Sequence, residues 1–268
     1  MEKNRYLNRI GYTGPVEATT AALNQLHKGH LFSVPFENLD IFLGRPIVLT
    51  LQSFYDKVVY NNRGGYCYEL NGLFGWLLTA FGFNVTMLSA RVFDKGSIGP
   101  EFDHMVLLVE AEKPLIADVG FGDSFIEPIG FDEASSLQQG YFYRLKESDS
   151  QWVLQRRDME SDWDPLYIFS LEPRKLEDFS GMNVYHQTSE DSHFTRQPLC
   201  TKATTEGRIT LLNNRLIVTS GDDRNETPVT MASGYISMLK KYLGIDLEET
   251  DARNFMRHAG TDADTFTV

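Results

Sequence analysis

Apolar and polar positions in the first third of the chain alternate with the period of amphipathic helices. Apolar residues recur every three or four positions after Thr50 and again from Cys67 onward, which predicts helices that bury one face. Another helix is predicted over residues 16–27, directly after a proline. Thr50 is a suitable N-cap, and Gly82 is a suitable C-terminal stop. Residues 1–83 are therefore predicted to form a helical domain.

Beyond Gly82 the pattern changes to that of strands. Segments rich in β-branched and aromatic residues lie between turn signals, at 84–93, 104–109, 114–120 and 141–157. They predict a β domain over residues 84–185, whose end carries short helices at 172–179 and 182–187. Residues 186–268 mix two strands, joined at Asn213 and Asn214, with a helix over 229–243. The predicted fold class is therefore α+β.

Composition and charge exclude several kinds of protein. The 268 residues carry 25 Lys and Arg against 37 Asp and Glu, a net charge of −12, so neither nucleic acid nor an anionic membrane is expected as a partner. The two cysteines, Cys67 and Cys200, do not make a disulfide scaffold, and no Cys or His spacing suggests a metal site. No signal-peptide core is visible, and the longest apolar stretch, 73–83, is too short to span a bilayer. We expect a cytoplasmic protein with a free thiol.

Cys67 is the first candidate catalytic residue. Gly64 and Gly65 precede it and permit a tight turn, so the thiol is predicted to lie in the first turn of a helix. The unpaired N–H groups and the positive dipole end of that helix favour a thiolate, and a nearby histidine would make the sulfur nucleophilic at neutral pH. Most unpaired cysteines are small buried hydrophobes, so the spacing alone leaves both interpretations of Cys67 open. We interpret Cys200 as structural.

His104 and Asp118 are predicted to meet across a β-hairpin. If residues 110–112 form its loop, His104 lies directly opposite Asp118 on the same face, with Cβ atoms about 4.5–5.5 Å apart. The carboxylate could then accept one imidazole N–H and leave the other ring nitrogen for the cysteine. A slip of one residue would break this pairing. The remaining histidines are interpreted as structural or surface residues: His27, His30, His186, His193 and His258.

Gly120 and Gly122 lie just past the strand that is predicted to end near Asp118. Glycines at this place permit close approach of a ligand and can present backbone N–H groups to phosphate oxygens, although a tight turn without a ligand would need them as well. No G-x-G-x-x-G or G-x-x-x-x-G-K-[ST] motif occurs. Dinucleotide-binding and nucleotide-hydrolysing functions therefore have no support.

The run Arg63–Asn71 resembles the R-G-G-x-C-x-E-x-N signature of the arylamine N-acetyltransferases. Further segments resemble the same family, in order along the chain, at 6–12, 34–39, 44–47, 90–92, 104–105 and 118–122. The resemblance implies a catalytic triad of Cys67, His104 and Asp118. It also implies a helical first domain, a β-barrel second domain and an α/β lid, with the first two arranged as in cysteine proteases.

The resemblance further implies the chemistry and the acceptor pocket. Acetyl-coenzyme A would be the co-substrate, and a small aromatic amine or hydrazine would be the acceptor, as in xenobiotic metabolism. The acetyl group would pass through a thioester on the cysteine in a ping-pong cycle. The pocket for the acceptor would be lined by Phe36, Val92 and Phe121, with Phe93 and Phe194 as neighbours.

The resemblance also implies which residues lie near the coenzyme A arm and which ion pair fixes the turn before Cys67. The pyrophosphate or pantetheine arm would lie near Gly122, Asp123 and Ser124. Contact at Asp123 would come from its backbone N–H, because an acidic side chain repels phosphate. Arg63 and Glu37 would form a buried ion pair that fixes the turn; an unpaired buried charge there would be costly.

Three other functions are left open by the residues. An amide synthase of the same fold would transfer a polyketide acyl chain, and acetyl-coenzyme A would not label its cysteine. A cysteine peptidase or transglutaminase-like enzyme uses the same order of triad residues and would not depend on coenzyme A. A non-catalytic binding protein would carry a Cys67 that reacts with iodoacetamide no faster than a free cysteine.

Overall fold

The first third of the chain is helical in the computed structural model, which describes residues 1–132, 134–251 and 253. The elements of this region are α1 (Lys3–Arg9), α2 (Thr20–Ser33), the strand β1 (Phe36–Glu37), α3 (Leu39–Phe42), α4 (Leu51–Tyr55) with a following π-helical turn (Asp56–Tyr60), and α5 (Cys67–Phe81). The helical character that the apolar periodicity predicts is confirmed.

Helix α5 lies at the centre of this region, and its sequence explains both its burial and its end. Apolar side chains on nearly all of its faces are buried, as expected for a helix that is enclosed by other elements. Gly82 ends the helix with a φ of +114°, a conformation that glycine adopts without the strain that a side chain would cause. The hydroxyl of Thr50 accepts the N–H of Ser53 and caps α4, as predicted.

Helix α2 differs from the helix that is predicted over residues 16–27. It begins after Thr19, whose hydroxyl accepts the N–H of Ala22 at 3.2 Å, and it continues to Ser33. Pro35 follows, and residues before a proline disfavour helical geometry, so the helix stops there. The predicted bounds were wrong at both ends because apolar periodicity does not show which of several caps is used. The additional turns place His30 on the buried face of the helix.

A nine-stranded antiparallel sheet forms a nearly closed barrel in the middle of the chain. Its strands are β2 (Asn84–Asp94), β3 (Ser97–Ile98), β4 (His104–Glu110), β5 (Pro114–Ala117), β6 (Ile129–Gly130), β7 (Ser136–Gln138), β8 (Tyr141–Ser148), β9 (Gln151–Arg157) and β10 (Asp164–Phe169). The pairing order is β6-β5-β4-β2-β10-β9-β8-β7, and β3 pairs with β2. The strand predicted over 114–120 is shorter than expected, and its last residues leave the ladder.

The remaining elements form a layer of short helices and a second sheet. They are a 3₁₀ turn (Leu176–Phe179), α6 (Ser180–Thr188), α7 (His193–Arg196), β11 (Leu199–Ala203), β12 (Gly207–Leu212), β13 (Arg215–Ser220), β14 (Asp223–Pro228), and α8 (Ala232–Met238) with a π-helical turn (Leu239–Leu243). The sheet has the order β1-β11-β12-β13-β14, so β1 joins the helical region to it. The helix predicted over 229–243 begins at Ala232, three residues after its predicted start.

The domain limits near residues 83 and 185 remain predictions. The end of the region predicted as a lid, from residue 254 onward, lies outside the described residues, as does His258. Within the part of the chain that is described, no helix is long and apolar enough to cross a bilayer.

Three apolar clusters hold these parts together. The largest surrounds α5 and includes the inward side of β4, since Met105 and Leu107 belong to it. A second cluster fills the barrel around Leu154 and Phe169. A third packs α8 and its π-helical turn on the second sheet. Because α5 and β4 share one core, the start of the helix is held against the start of the strand.

The turn before α5 gives a test of close backbone packing. A Cβ atom on Gly64 would lie 2.0 Å from the carbonyl oxygen of Pro35, whereas nothing lies within 4 Å of a Cβ on Gly181 in α6. We expect Gly64→Ala to lower the free energy of unfolding by at least about 2 kcal/mol, since backbone atoms must move. Gly181→Ala should raise it by up to about 1 kcal/mol. Urea unfolding of both variants measures this, and equal stabilities would contradict the packing described.

Candidate active site

The thiol of Cys67 lies at the first residue of α5, as the sequence predicts. The preceding residue, Tyr66, has extended backbone geometry and is the N-cap of the helix. The carboxylate of Glu69 accepts the N–H of Tyr66 at 3.1 Å, which closes the first turn. Cys67 is 2% exposed, so the sulfur lies beneath the surface, at the positive end of the helix dipole.

His104 is the first residue of β4, and its imidazole meets the carboxylate of Asp118. The Nε2 atom of His104 lies 2.8 Å from Oδ2 of Asp118, and both side chains are buried. An ionised carboxylate only accepts hydrogen bonds, so the Nε2 atom of His104 carries a proton and donates it to Asp118. This is the pairing that the hairpin analysis predicts.

The register behind that pairing differs from the prediction. Glu110 pairs with Pro114 and Leu107 with Ala117, so the loop is 111–113 and not 110–112. Each end of the loop is displaced by one residue, which changes the register by two and therefore keeps every side chain on its predicted face. Asp118 thus follows the last paired residue and reaches His104 from there. The predicted direct opposition was wrong, because side chains of the loop are engaged elsewhere: Glu112 accepts the N–H of Thr20 at 2.8 Å.

Asn71 connects the helix to the strand that carries the carboxylate. It lies one turn after Cys67, and its Nδ2 donates to Oδ1 of Asp118 at 2.8 Å and to the carbonyl of Met105 at 2.6 Å. Its Oδ1 accepts the N–H of Val119 at 2.9 Å. The amide of one buried side chain thereby fixes the position of α5 relative to both His104 and Asp118.

Gly120 permits the close approach of the loop after β5 to the helix start. A Cβ atom at this position would lie 2.8 Å from Cα of Cys67 and 2.7 Å from Nδ2 of Asn71. Real Cβ atoms do not come so close, so only glycine fits here. Its N–H donates to Oδ1 of Asp118 at 2.9 Å, which adds a further hydrogen bond to the carboxylate.

The surroundings of Cys67 determine whether its thiol is ionised. Burial raises the pKa of Cys67 well above that of a free thiol, and the charges of Asp103 and Asp118 act in the same direction. The backbone N–H groups of Tyr68 and Met105 act against this rise. For Asp118, burial also acts to raise the pKa, but the charge of His104 and the hydrogen bonds outweigh it and lower the pKa. A thiolate at Cys67 therefore needs a cation beside it.

A buried network of charges supports the turn before Cys67. Arg63 contacts Glu37 at 2.7 Å and Asp40 at 2.9 Å, which confirms the predicted ion pair and extends it. Lys57 contacts Asp40 at 2.9 Å and Glu69 at 3.0 Å. Burial, outweighing the charge of Lys57, raises the pKa of Glu69 to about 7. Three carboxylates share two cations, so one carboxylate retains a proton more readily than a free side chain.

Three of the predicted pocket residues come together around the site. The ring of Phe121 lies 5.3 Å from that of His104, and Phe36 lies 6.1 Å from Phe194, measured between ring centroids. A Cβ atom on Gly122 would lie 3.6 Å from the ring of Phe36, so the Phe36 and Phe121 regions adjoin. These rings provide the apolar walls that an aromatic ligand would need.

Val92 and Phe93 lie on β2, beyond the part that pairs with β4. Val92 pairs with Tyr167, whose ring lies 5.4 Å from that of His104, so Val92 shares the face of the sheet on which the imidazole lies. Successive residues of a strand point to opposite faces. Phe93 is therefore directed away from that face, and the structure does not bring it to the other predicted pocket residues.

The loop predicted to contact coenzyme A carries an ion-pair cluster. Asp123 accepts hydrogen bonds from Arg156 and Arg208, both at 3.0 Å. Burial acts to raise the pKa of Asp123, but the charge of Arg208, followed by that of Arg156, lowers it. The hydroxyl of Ser124 is buried and makes no hydrogen bond within the described residues. The negative charge of Asp123, which would repel a phosphate, is thus neutralised by two arginines.

Several residues of the site were not identified from the sequence. Asn71 carries a weak signal, because a residue four positions after Cys67 lies on the same helix face. His27, Lys57, Arg156 and Arg208 carry none, since their partners are distant in sequence. Within the described residues, no group of three or more His, Cys, Asp or Glu side chains is arranged to hold a metal ion.

Comparison with known proteins decides the family. A family model described as N-acetyltransferase matches residues 19–252. An arylamine N-acetyltransferase of Mycolicibacterium smegmatis is 33% identical over 276 residues, covering 99% of both chains. The solved structure of the arylamine N-acetyltransferase from Salmonella typhimurium has a TM-score of 0.90 at 31% identity, covering 95% of this chain and 97% of that one.

The chain belongs to the arylamine N-acetyltransferase family. It is therefore an acyltransferase, and acetyl-coenzyme A is the co-substrate of its family. The Mycobacterium marinum arylamine N-acetyltransferase in complex with CoA has a TM-score of 0.88 to this chain at 28% identity, covering 96% of this chain and 99% of that one. The helical, barrel and lid layout of these relatives confirms the predicted fold class.

The raised pKa of Glu69 predicts how the unfolding free energy of this acetyltransferase changes with pH. Its pKa of about 7 in the folded protein lies above the ordinary 4.5, so its contribution to stability is complete below about pH 4.5 and is lost as the pH rises through 7. The unfolding free energy of the wild type should fall between pH 5 and 8 by about 1–3 kcal/mol more than that of Glu69→Gln. Urea unfolding at both pH values measures this, with the exposed Glu17→Gln as control. Equal slopes in all three proteins would refute the shift.

Proposed function

We propose that this acetyltransferase moves the acetyl group of acetyl-coenzyme A to an aromatic amine or hydrazine through an acetyl-Cys67 thioester. The observation that carries the proposal is a buried thiol at the start of a helix that Asn71 joins to Asp118, the hydrogen-bond partner of His104. A nucleophile, a base and a group that orients the base are the parts that acyl transfer through cysteine requires.

In the first half-reaction, His104 acts as the base. Its Nδ1 takes the thiol proton of Cys67 while Asp118 accepts the N–H of Nε2 and stabilises the imidazolium. The sulfur attacks the thioester carbonyl of acetyl-coenzyme A, and a new C–S bond forms. The C–S bond to coenzyme A then breaks, and the imidazolium returns its proton to the departing sulfur.

In the second half-reaction, the acceptor amine attacks the acetyl-Cys67 carbonyl. The nitrogen forms the amide bond, His104 removes its excess proton, and the C–S bond of the acyl-enzyme breaks. The imidazolium protonates Cys67, which restores the resting enzyme. The rings of Phe36, Phe121 and Phe194 favour an aromatic acceptor, and an apolar wall slows hydrolysis of the thioester.

Coenzyme A is proposed to approach along the loop of Gly122, Asp123 and Ser124. Arg156 and Arg208 give this acidic protein local positive charge beside the loop, and the buried Ser124 hydroxyl is available as a donor. The similarity to the CoA-bound Mycobacterium marinum enzyme supports a coenzyme A site in this fold. A reducing compartment such as the cytoplasm would keep the nucleophile as a free thiol.

Mass spectrometry after incubation with acetyl-coenzyme A alone tests the intermediate. We expect a single acetyl group on Cys67. We expect Cys67→Ala and Cys67→Ser to be folded but unlabelled and inactive, because neither alanine nor serine supplies a thiolate. Cys200→Ser is the matched control, since Cys200 is equally buried but faces Glu37 on the second sheet. A substantially active Cys67→Ala variant would overturn the mechanism.

Three other outcomes would each favour a different function. No label from acetyl-coenzyme A, with label from a longer acyl thioester, would indicate an amide synthase. Transfer to water without any dependence on coenzyme A would indicate a cysteine hydrolase. An unlabelled protein with a slowly alkylated thiol would indicate a binding protein.

The pH dependence of alkylation tests the role of His104. Because burial and the charges of Asp103 and Asp118 raise the pKa of the thiol, the thiolate should disappear when the imidazole is removed. We expect His104→Asn to slow alkylation of Cys67 by iodoacetamide at pH 7 at least about tenfold, with the midpoint of the pH profile moved upward by one unit or more. His193→Asn, at an exposed histidine of α7, should match the wild type. An unchanged midpoint in His104→Asn would exclude the proposed pair.

A further inference from the structure

His27 of α2 is buried, and both of its ring nitrogens are engaged by backbone groups next to the candidate site. Its Nδ1 lies 2.7 Å from the carbonyl oxygen of Ile126, and its Nε2 lies 3.1 Å from the backbone nitrogen of Asp118. The relative exposure of the residue is 0%. Neither partner could be anticipated from the sequence, because they lie 99 and 91 positions away.

The two partners determine the state of this ring. A carbonyl oxygen only accepts, so Nδ1 must carry a proton, and a backbone N–H only donates, so Nε2 must have its lone pair free. Only the neutral Nδ1–H tautomer satisfies both. Burial agrees with this assignment, since it lowers the pKa of His27 to about 4.

The two partners also bracket the loop that follows β5. Asp118 begins the segment 118–126 and Ile126 ends it, so one imidazole joins the two ends. The segment includes the triad carboxylate, Gly120 against the helix start, and Phe121 against His104. The ring of Phe125, within the same segment, stacks on His27 with centroids 5.5 Å apart and an interplanar angle of 13°.

We infer that His27 is a positioning residue, which holds the backbone of Asp118 and closes the segment 118–126 so that the carboxylate meets His104. The inference rests on the proposed function, because it assigns a role toward that triad. The Asp118 carboxylate is already held by Asn71 and by the N–H of Gly120. His27 adds a hold on the main chain from which that carboxylate projects, and it does so from a separate helix.

His30 provides a matched control on the same helix. It lies one turn after His27 and is equally buried, with a relative exposure of 0%. Its Nδ1 lies 2.8 Å from the hydroxyl of Tyr6, in the core of the helical region. Replacing either histidine disturbs the buried face of α2, but only His27 contacts the segment that carries the carboxylate.

Substitution of His27 by Asn or by Gln can test its two hydrogen bonds separately. Asn places its amide near the position of Nδ1 and can still donate to Ile126, but it leaves the N–H of Asp118 without an acceptor. Gln reaches the position of Nε2 and can still accept from Asp118. We therefore expect His27→Asn to lose more activity than His27→Gln.

The test measures steady-state kinetics and the pH profile of Cys67 alkylation for His27→Asn, His27→Gln and His30→Gln. For His27→Asn we expect kcat to fall at least about tenfold with KM within about threefold, because the reacting groups are displaced while the ligand pockets remain. The midpoint of its alkylation profile should also move upward. His30→Gln should lose thermal stability but keep both the wild-type kcat and the wild-type midpoint.

The outcomes distinguish this inference from the proposed function. If His27→Asn folds and keeps the kcat and the midpoint of His30→Gln, His27 is only a core residue and the inference is overturned. If His27→Asn does not fold, His27→Gln decides in the same way, with a smaller loss of kcat and a smaller shift expected. Absence of acetyl-Cys67 in the wild type would overturn the proposed function instead, and the alkylation profile, which needs no coenzyme A, would still test His27.

Discussion

The geometry of the site depends on one buried amide. Asn71 holds the start of the strand, through the carbonyl of Met105, and the end of the hairpin, through Asp118 and Val119, while lying one turn from Cys67 on the same helix. Apolar contacts are not directional, so apolar packing alone leaves a helix some freedom to shift along the sheet. Three hydrogen bonds with directional requirements remove that freedom. They fix the start of α5 relative to the strand that carries His104 and to the hairpin end that carries Asp118.

The buried charges next to Cys67 balance one another. The turn before α5 uses Arg63 and Lys57 to hold three carboxylates, among them Glu69, which also accepts the N–H of the N-cap residue. Each of these charges would be costly to bury alone. Together they fix a short turn whose backbone approaches Pro35 too closely for any side chain at Gly64. The shape of the helix start thus depends on charge balance as well as on glycine.

Features that depend on local spacing could be predicted from the sequence, and features that depend on tertiary packing could not. The helix start at Cys67 follows from glycines and apolar periodicity, and the facing of His104 and Asp118 follows from the alternation of a strand. The hairpin register was wrong by two residues, because the loop is fixed by a contact with α2. His27 and Arg208 were not recognised, since their partners lie on elements distant in sequence. The face on which a side chain lies follows from local sequence, whereas the register of a hairpin and hydrogen bonds between distant residues depend on tertiary packing.

Burial has two opposite effects on this site, and under the proposed mechanism the imidazole of His104 offsets the unfavourable one. A dry, apolar surrounding protects a thioester from water, but the same surrounding raises the pKa of the Cys67 thiol and so removes the nucleophile. Exposure would reverse both effects. In the proposed mechanism, a histidine that takes the thiol proton would allow the site to stay dry, since the proton would move only within the pair and no isolated charge would be left in the interior. Under that mechanism the orientation of His104 would limit reactivity, and Asp118 with the groups that hold its main chain would set that orientation.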